Sequence, residues 1–432
     1  MPIRLPPLLI AVALLLAAPA GAHAADYVAD EVIVRYEQGT GGGVAAEVAA
    51  DAGTEPVQAL PGGSEQLQID DGDSVRETIA ELNADPNVAY AVPNWRARAA
   101  AEPNDPGFRL QWNLFSTYGI NVVEAWSLAQ GLGAPAGRGA VVALLDSGVA
   151  YERRGRYRRA PDLRRSTFVR PYDFIEKDSH PNDVFGHGTH VAGTIAQTTN
   201  NGVGTAGIAY NAKIMPLRVL DANGEGDSAA IARAIRYAAR YRADVINLSL
   251  EFPAEVRAAE IPDVLAAIRY AHRRGSVVVA AAGNQADIAV AYPARAQSVI
   301  AVGATTITGC QADYSNAGED LDLMAPGGGA DAPNNDSLWD SAHCSPDSIG
   351  RPIIQQTFTR GVTRFGLPRS YEGTSMAAPH VSAIAALLIA TKRLGPHPSP
   401  RDVEAHLEAT TRPTDRPDRY GAGLVDAAAA LR

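Results

Sequence analysis

Cysteine is scarce in this chain, since only two, Cys310 and Cys344, occur among 432 residues. The chain can therefore hold one disulfide at most. In an exported protein such a pair favours a disulfide, which would stabilise the fold by about 3–4 kcal/mol in the chain-entropy model. The alternative is two buried thiols that act as small hydrophobic side chains.

An excess of positive charge is also missing, because 38 basic residues stand against 48 acidic ones. Nucleic-acid binding needs a basic face, so we expect no nucleic-acid partner. Residues 25–100 alone contain fourteen acidic and four basic residues, a net charge of −10, which leaves the rest of the chain nearly neutral. This block is either an acidic solvated surface or a separate module that pairs with, or detaches from, the remainder.

The arginine-rich stretch at 151–170 is the local exception to this charge balance. It contains eight arginines within twenty residues. We expect a solvated insertion loop, and the alternative is a surface that contacts an anionic partner.

The N-terminus has the features of a targeting segment. One positive charge lies in Met1–Arg4, residues 7–18 are almost entirely Leu, Ala and Val, and Ala22-His23-Ala24 fits the small-x-small pattern of signal peptidase sites. A membrane anchor is the alternative, but the apolar run is too short to span a bilayer comfortably. We therefore expect residues 1–24 to be a signal peptide, and the mature protein to be secreted or periplasmic without a transmembrane anchor.

Residues 27–95 have the pattern of a small α+β unit. Alternating apolar residues predict strands at 31–36, 65–70 and 88–95, and helical spacing predicts a helix at 74–84 with Ser74 as its N-cap. The Ala/Pro/Asn-rich stretch at 96–106 is typical of a linker.

From residue 101 onward, predicted strands and helices alternate. Apolar runs predict strands at 140–146, 213–220, 243–250, 276–284 and 298–304, with helices from His187, at 227–241 and at 263–274. This alternation indicates βαβ units and a mostly parallel sheet, covered by helices on both faces. Ligands bind at the carboxyl ends of strands in such sheets, and Asp146 and Asn284 each end a predicted strand.

Three motifs in this region supply the members of a nucleophilic triad. They are LLDSGVA at 144–150, GHGTHVAGTIA at 186–196 and YEGTSMAAPHV at 371–381, in the order Asp, His, Ser. A fourth, VVVAAAGNQ, ends at residue 285. Together these motifs and their order resemble the subtilisin family of secreted serine endopeptidases.

The resemblance implies a role for one residue of each motif. Asp146 would orient His187, which would act as general base toward the Ser375 hydroxyl, and Asn284 would donate a hydrogen bond to the oxyanion. His190, one turn beyond His187, would be structural. The fold implied is a subtilisin-like three-layer α/β/α domain, preceded by a small ferredoxin-like propeptide.

The resemblance also implies domains and partners. Residues 25–100 would be a propeptide that assists folding and inhibits the enzyme until it is cut, and residues 101–432 would be the catalytic domain. The partners expected are polypeptide substrates and the chain's own propeptide, with the mature enzyme a monomer. The alternative for the first unit is a permanently retained domain.

Substrate binding is expected along two segments that match the family's cleft-lining strands. Their residues are Ser249, Leu250 and Glu251 on one side and Ala281 and Gly283 on the other. The base of the primary pocket maps near residues 291–293, which lack an acidic residue, so broad or apolar specificity is expected. Glu251 departs from the family's usual glycine and would attract a basic substrate side chain. The insertion at 328–370 is a second departure.

Calcium is the metal that the resemblance implies. The stretch TTNNGVGTAG at 198–207 is similar to the family's calcium loop, with a side-chain oxygen from Asn201, and carbonyls from Thr198, Val203 and Thr205. Asp105 and Asp162 match the two distal carboxylates. Oxygen-only ligation suits calcium rather than zinc, and the alternative is a Gly/Asn turn that binds no ion.

Two other functions remain open from the sequence. One is a catalytically inactive scaffold of the same fold that binds peptides. The other is a hydrolase with a nucleophile elbow, but Gly373-Thr374-Ser375-Met376-Ala377 lacks the second glycine of that motif, and the order of the triad differs.

Overall fold

The structure is a computed structural model that describes residues 27–95, 102–333, 344–345, 348–414 and 416–432. The chain divides into two compact units, residues 1–99 and 100–432. The expected signal peptide lies outside the described residues, as does most of the 96–106 linker.

The first unit is a four-stranded antiparallel sheet with two helices. Its elements in chain order are β1 Tyr27–Tyr36, α1 Gly42–Asp51, β2 Thr54–Leu60, β3 Ser64–Ile69, α2 Val75–Leu82 and β4 Val88–Trp95. The strand order β2-β3-β1-β4 and the βαββαβ sequence are those of a ferredoxin-like fold. Ser74 caps α2 in a capping box with Glu77, as its position before the apolar repeat predicted.

The second unit is built on an eight-stranded sheet in which every described pairing is parallel. Its strands are β5 Val141–Asp146, β6 Thr167–Phe168, β7 Tyr172–Asp173, β8 Lys213–Arg218, β9 Val245–Leu248, β10 Val277–Ala281, β11 Ile300–Thr305 and β12 Leu323–Pro326. The order along the sheet is β12-β11-β10-β9-β5-β8-β6, and β7 also pairs with β8. A separate hairpin consists of β13 Thr357–Arg360 and β14 Arg364–Gly366.

Helices cover both faces of this sheet. They are α3 Trp112–Phe115, α4 Val122–Gly131, α5 His187–Ala196, α6 Ser228–Arg240, α7 Pro262–Arg273, α8 Thr374–Thr391, α9 Pro400–Ala409, α10 Pro417–Tyr420 and α11 Ala427–Leu431. Successive residues of β5 point into two different cores: Val142 and Leu144 pack with α5 and α8, whereas Ala143 and Leu145 pack with α6 and α7. The expected three-layer α/β/α architecture is therefore confirmed.

Helix α8 runs through the centre of one core. Among the described residues it is the one helix long and apolar enough to cross a membrane, but 83% of its apolar stretch is buried inside the protein. Because its neighbours are the parallel strands and α5, its apolar composition is that of a core helix.

The two cysteines form a disulfide, with 5.9 Å between their Cα atoms. Cys310 follows β11, and Cys344 belongs to the 328–370 insertion, part of which lies outside the described residues. In the arginine-rich stretch, Arg159 donates hydrogen bonds to the carbonyls of Leu163 and Ser166 and lies over the ring of Phe168. Six other arginines there are exposed, as expected of a solvated loop.

Candidate active site

The four predicted catalytic residues lie at the carboxyl edge of the parallel sheet or at the helix ends beside it. Asp146 is the last residue of β5, and Asn284 follows β10 by three residues. His187 begins α5, and Ser375 is the second residue of α8. His187, Asn284 and Ser375 line one cleft of about 510 Å³.

Asp146 and His187 form the hydrogen bond on which the site is centred. The Nδ1 atom of His187 lies 2.8 Å from Oδ1 of Asp146, which also accepts the backbone N–H of Ser147 at 2.7 Å. Asp146 is fully buried, while 17% of the His187 side chain is exposed. Burial favours the neutral imidazole, but the charge and hydrogen bond of Asp146, together with the charge of Asp183, raise the pKa of His187 above its ordinary value.

Asp183 holds the N-terminus of the helix that carries His187. Its Oδ1 accepts the N–H groups of Phe185 and Gly186, and its Oδ2 accepts the N–H and hydroxyl of Thr189. The Ser147 hydroxyl joins the same carboxylate at 3.0 Å. A buried carboxylate at a helix N-terminus satisfies unpaired donors and interacts favourably with the dipole, so Asp183 fixes the end of α5 beside Asp146.

His190, for which the resemblance implies a structural role, does not line the cleft. It is buried, stacks on Tyr371 at 4.2 Å, and places Nε2 3.0 Å from the Ile353 carbonyl oxygen. Burial lowers the pKa of His190 to about 3, so this ring stays neutral.

Ser375 is positioned by reciprocal contacts with Ser249. Its hydroxyl donates to the Ser249 carbonyl at 3.2 Å, and the Ser249 hydroxyl donates to the Ser375 carbonyl at 2.8 Å. Gly373, which precedes the helix, has φ +144°, a conformation that favours glycine. This turn leaves Ser375 in the first turn of α8, where backbone N–H groups are unpaired.

The side chain of Asn284 is fixed by the residue that precedes Ser375. Its Oδ1 accepts the backbone N–H of Thr374 at 2.8 Å and the Thr374 hydroxyl at 3.1 Å. Because the oxygen is occupied in this way, the amide nitrogen is the group that remains to donate into the cleft.

The residues predicted to bind substrate fall into two sets. Ser249, Leu250 and Glu251 line the cleft, whereas Ala281 is buried in the sheet. Gly283 is also buried, and its N–H donates to the Thr374 hydroxyl at 3.2 Å. The remaining lining residues are Phe185, Leu220, Gly224, Glu225, Gly226, Ile231, Phe252 and Pro253.

The six predicted calcium ligands gather in one cluster. Asp162 is buried and accepts hydrogen bonds from the Asn201 amide at 2.7 Å and the Thr205 N–H at 2.8 Å. Its carbonyl accepts the Thr198 N–H at 2.9 Å. Asp105 accepts the N–H of Asn201 at 3.0 Å. The expected ligand atom of Asn201, its side-chain oxygen, instead accepts the Val203 N–H at 2.7 Å.

This cluster combines negative charge with carbonyl oxygens. Neither Asp105 nor Asp162 is paired with a basic residue in the described part of the chain. Burial raises the pKa of Asp162 to about 6. Within the described ranges, the carbonyls of Thr198, Val203 and Thr205 accept no hydrogen bond. Two carboxylates and several free oxygens are a donor set that fits a hard cation such as calcium.

Sequence reasoning missed the residues that support the site. Asp183, Ser147 and Thr374 each make hydrogen bonds to or beside a catalytic candidate. The N-cap pattern does not identify Asp183, because the N-cap of α5 is Gly186 and Asp183 lies three residues before it. Thr374 precedes Ser375 directly, but its partner Asn284 is ninety residues away, so local pattern carries no sign of it.

Known protein families match most of the chain, and they agree with the division into a first unit and a second unit. The profile of the subtilase family matches residues 137–423, and that of the fervidolysin N-terminal prodomain matches residues 16–94. A thermophilic serine proteinase of Bacillus sp. (strain AK1) is 35% identical over 369 residues, which cover 85% of this chain and 79% of that protein.

Two further relatives and one solved structure agree with these matches. Thermitase of Thermoactinomyces vulgaris is 35% identical, covering 71% of this chain and 91% of its own length. An extracellular protease of Xanthomonas campestris pv. campestris is 33% identical, over a match that covers 90% of this chain and 67% of that protein. A protease structure from Pseudoalteromonas arctica has a TM-score of 0.62 at 33% identity, covering 77% of this chain and 99% of its own.

Proposed function

Because this chain belongs to the subtilase family of serine proteases, we propose that it cleaves peptide bonds through Asp146, His187 and Ser375. The observation that carries the proposal is the 2.8 Å hydrogen bond between His187 Nδ1 and the buried Asp146, beside a cleft that also holds Ser375. The alternation of buried strands and helices brings these three residues together from distant parts of the sequence.

In the proposed mechanism His187 takes the proton of the Ser375 hydroxyl as that oxygen attacks the scissile carbonyl. Asp146 holds the imidazole in the tautomer with hydrogen on Nδ1 and stabilises the imidazolium as it forms. The Ser375 hydroxyl, which donates to the Ser249 carbonyl in the structure, turns toward His187 for this step. His187 then returns the proton to the leaving amine as the C–N bond breaks, which leaves the acyl group on Ser375. A water molecule, deprotonated by the same imidazole, attacks this ester, and the proton returns to Ser375 as the acid product leaves.

The oxyanion of the tetrahedral intermediate is stabilised by two donors in this proposal. One is the Asn284 side-chain nitrogen, since its oxygen is already bound to Thr374. The other is the Ser375 backbone N–H in the first turn of α8, where the helix dipole also favours negative charge.

We further propose that polypeptide substrates bind in extended form along Ser249–Glu251 and that the primary specificity is broad or apolar. Leu220, Ile231, Leu250 and Phe252 give the cleft an apolar wall. Ala291, at the expected base of the primary pocket, donates its N–H to the Ala282 carbonyl and is buried. An extended substrate gains main-chain hydrogen bonds from such segments, as in β-augmentation.

The prodomain match supports synthesis as a zymogen, with the first unit acting as an inhibitor inside the same chain. We propose that residues 1–24 direct export to the periplasm or beyond the cell, that residues 25–100 are removed during maturation, and that residues 101–432 act as a monomer. The Xanthomonas relative is named an extracellular protease, which supports export.

We also propose that the cluster around Asp162 holds a structural calcium ion. The ligands would be Asp105, Asp162 and Asn201, with the carbonyls of Thr198, Val203 and Thr205. The ion would neutralise the two buried carboxylates and connect the loop after α5 to the segment near Asp105. It takes no part in the chemical step.

Intact-mass spectrometry of the full chain and of Ser375→Ala, both produced in an exporting host, tests the triad. We expect the wild type to lose a fragment ending near residues 97–101, while Ser375→Ala retains it. Ser127→Ala, a change at an exposed serine on α4, is the control and should be processed as the wild type is. If the wild type and Ser375→Ala mature alike and neither of the two cleaves an added peptide, the inactive-scaffold function replaces this proposal.

A further inference from the structure

Glu251 occupies a position where the resemblance leads us to expect glycine, and its carboxylate is engaged by the chain itself. Its Oε2 accepts the backbone N–H of Asn284 at 2.9 Å, and its Oε1 accepts the side-chain amide of Gln285 at 2.7 Å. A Cβ placed on Gly283 would lie 2.9 Å from the same Oε2. The carboxylate therefore spans from the segment after β9 to the segment after β10.

Asn284 is consequently held on two sides by different parts of the chain. Thr374 binds its side-chain oxygen, and Glu251 binds its backbone nitrogen. Hydrogen bonds to an ionised acceptor are roughly twice as strong as neutral ones. Gln285 adds a further connection, because its backbone N–H and side-chain oxygen both pair with Asn316.

We propose that Glu251 is a positioning residue that fixes Asn284 for oxyanion stabilisation, an inference that rests on the proposed function of Asn284. An oxyanion donor works only if it is aimed before charge develops, because reorientation during the reaction costs free energy. The two residues between β10 and Asn284, Ala282 and Gly283, are irregular backbone, and the hydrogen bond from the Asn284 N–H to Glu251 restrains that segment.

This role differs from the specificity role that the sequence alone suggests for Glu251. Both carboxylate oxygens already accept N–H donors, so a basic substrate side chain would have to compete with them. A negative charge near the oxyanion is itself unfavourable. The benefit of Glu251 therefore comes from the geometry that its hydrogen bond imposes.

The test compares Glu251→Ala and Glu251→Gln with Glu255→Ala, an exposed glutamate four residues away that accepts no hydrogen bond from the described residues. Mature enzymes are counted by active-site titration and assayed on tetrapeptide p-nitroanilides that end in Phe or in Lys. We expect Glu251→Ala to lower kcat by about tenfold on both substrates with little change in KM, less than the 10²–10³-fold loss measured when a subtilisin loses this donor.

Glu251→Gln retains an oxygen acceptor for the Asn284 N–H, so its kcat should stay within about threefold of the wild type. Glu255→Ala should match the wild type. If Glu251→Ala instead raises KM for the Lys substrate alone, Glu251 is a specificity residue and the inference is wrong.

A double-mutant cycle with Asn284→Ala separates this inference from the function on which it rests. If Glu251 acts through Asn284, the change to alanine at 251 should have almost no further effect on kcat once the Asn284 side chain is gone. A full additional tenfold loss in that background would overturn the inference. Unchanged kcat in Asn284→Ala alone would instead refute the proposed oxyanion role. Melting temperatures in the Ser375→Ala background show whether each variant folds.

Discussion

Burial and nearby carboxylates shift the pKa of the His187 imidazole in opposite directions. Burial favours the neutral ring, but the Asp146 contact and the charge of Asp183 outweigh it and raise the pKa of His187. The protonated ring cannot accept the Ser375 proton, so activity is lost as the pH falls through this raised pKa. The acid limb of kcat/KM should therefore lie above the value of about 6.5 for an unperturbed histidine.

Asp146→Asn should change both the height and the position of this pH profile. Removing the charge lowers the pKa of His187, so the acid limb of the residual activity moves to lower pH. The plateau should fall by about 10⁴-fold, because asparagine stabilises the wrong tautomer in a Ser-His-Asp protease. The measurement is kcat/KM from pH 4 to 9, with the Ser375→Ala double variant as the blank. An acid limb that stays in place would mean that a different group titrates.

At the residue scale, local motifs carried the site predictions. Asp146, His187, Asn284 and Ser375 each lie within a short, informative stretch, and the structure brings three of them to one cleft and the fourth into contact with His187. The environment of Glu251 was not predictable, because its partner Asn284 is 33 positions away and reaches it only through the packing of two parallel strands.

At the element scale, two carboxylates of helix α9, Glu404 and Glu408, lie close to Asp322, the residue that precedes β12. The oxygens of Asp322, Glu404 and Glu408 lie within 4.8 Å of one another. Burial, with the charges of Glu404, Glu408 and Asp320, raises the pKa of Asp322 to about 7, although the N–H of Ala301 opposes this. Burial and the charge of Glu408 raise the pKa of Glu404, and the opposing charge of Arg401 is too weak to cancel this rise.

Because the pKa of Asp322 is higher in the folded state than its ordinary value of 3.8, protonation favours folding. The corresponding stability is present below about pH 4 and is lost as the pH rises to about 7. Asp322→Asn, which keeps an acceptor for Ala301, should raise Tm at pH 8 by about 2 °C and leave Tm at pH 4 unchanged. Thermal unfolding in the Ser375→Ala background measures this, with Glu255→Gln as control. An equal rise in Tm at pH 4 and pH 8 would show that repulsion between Asp322 and the neighbouring carboxylates is not the cause.

The elements that the sequence predicted best are those buried on both faces. The runs that form β5, β8, β9, β10 and β11 are continuous and apolar, so their strands were expected within a few residues of their bounds. Helix α1 begins among glycines, which weakens its pattern, and β12 contains only four residues. The hairpin β13–β14 is largely polar. These elements depend on tertiary contacts that a local pattern does not contain.

At the scale of the whole molecule, the proposed calcium ion would hold together segments that are far apart in the chain. Asn201 contacts both Asp105 and Asp162, although about a hundred residues separate it from Asp105. An ion that binds only the folded state stabilises it by about 2.7 kcal/mol at one hundred times its Kd.

Excess EDTA should therefore lower the Tm of the Ser375→Ala protein, and added calcium should restore it. Asp162→Asn should show a lower Tm in calcium and little response to EDTA, while Asp263→Asn, a change at an exposed carboxylate on α7, should respond as the parent does. The measurement is calorimetry with and without chelator. A Tm in the parent that is insensitive to chelation would contradict the calcium proposal.

The division into two compact units also divides the charge of the molecule. The acidic excess belongs to residues 25–100, and the catalytic unit is nearly neutral. If the first unit is released as proposed, maturation lowers the chain's affinity for an anion-exchange resin. Precursor, released fragment and mature enzyme would then elute at different salt concentrations, so a single chromatogram at neutral pH would report the extent of processing.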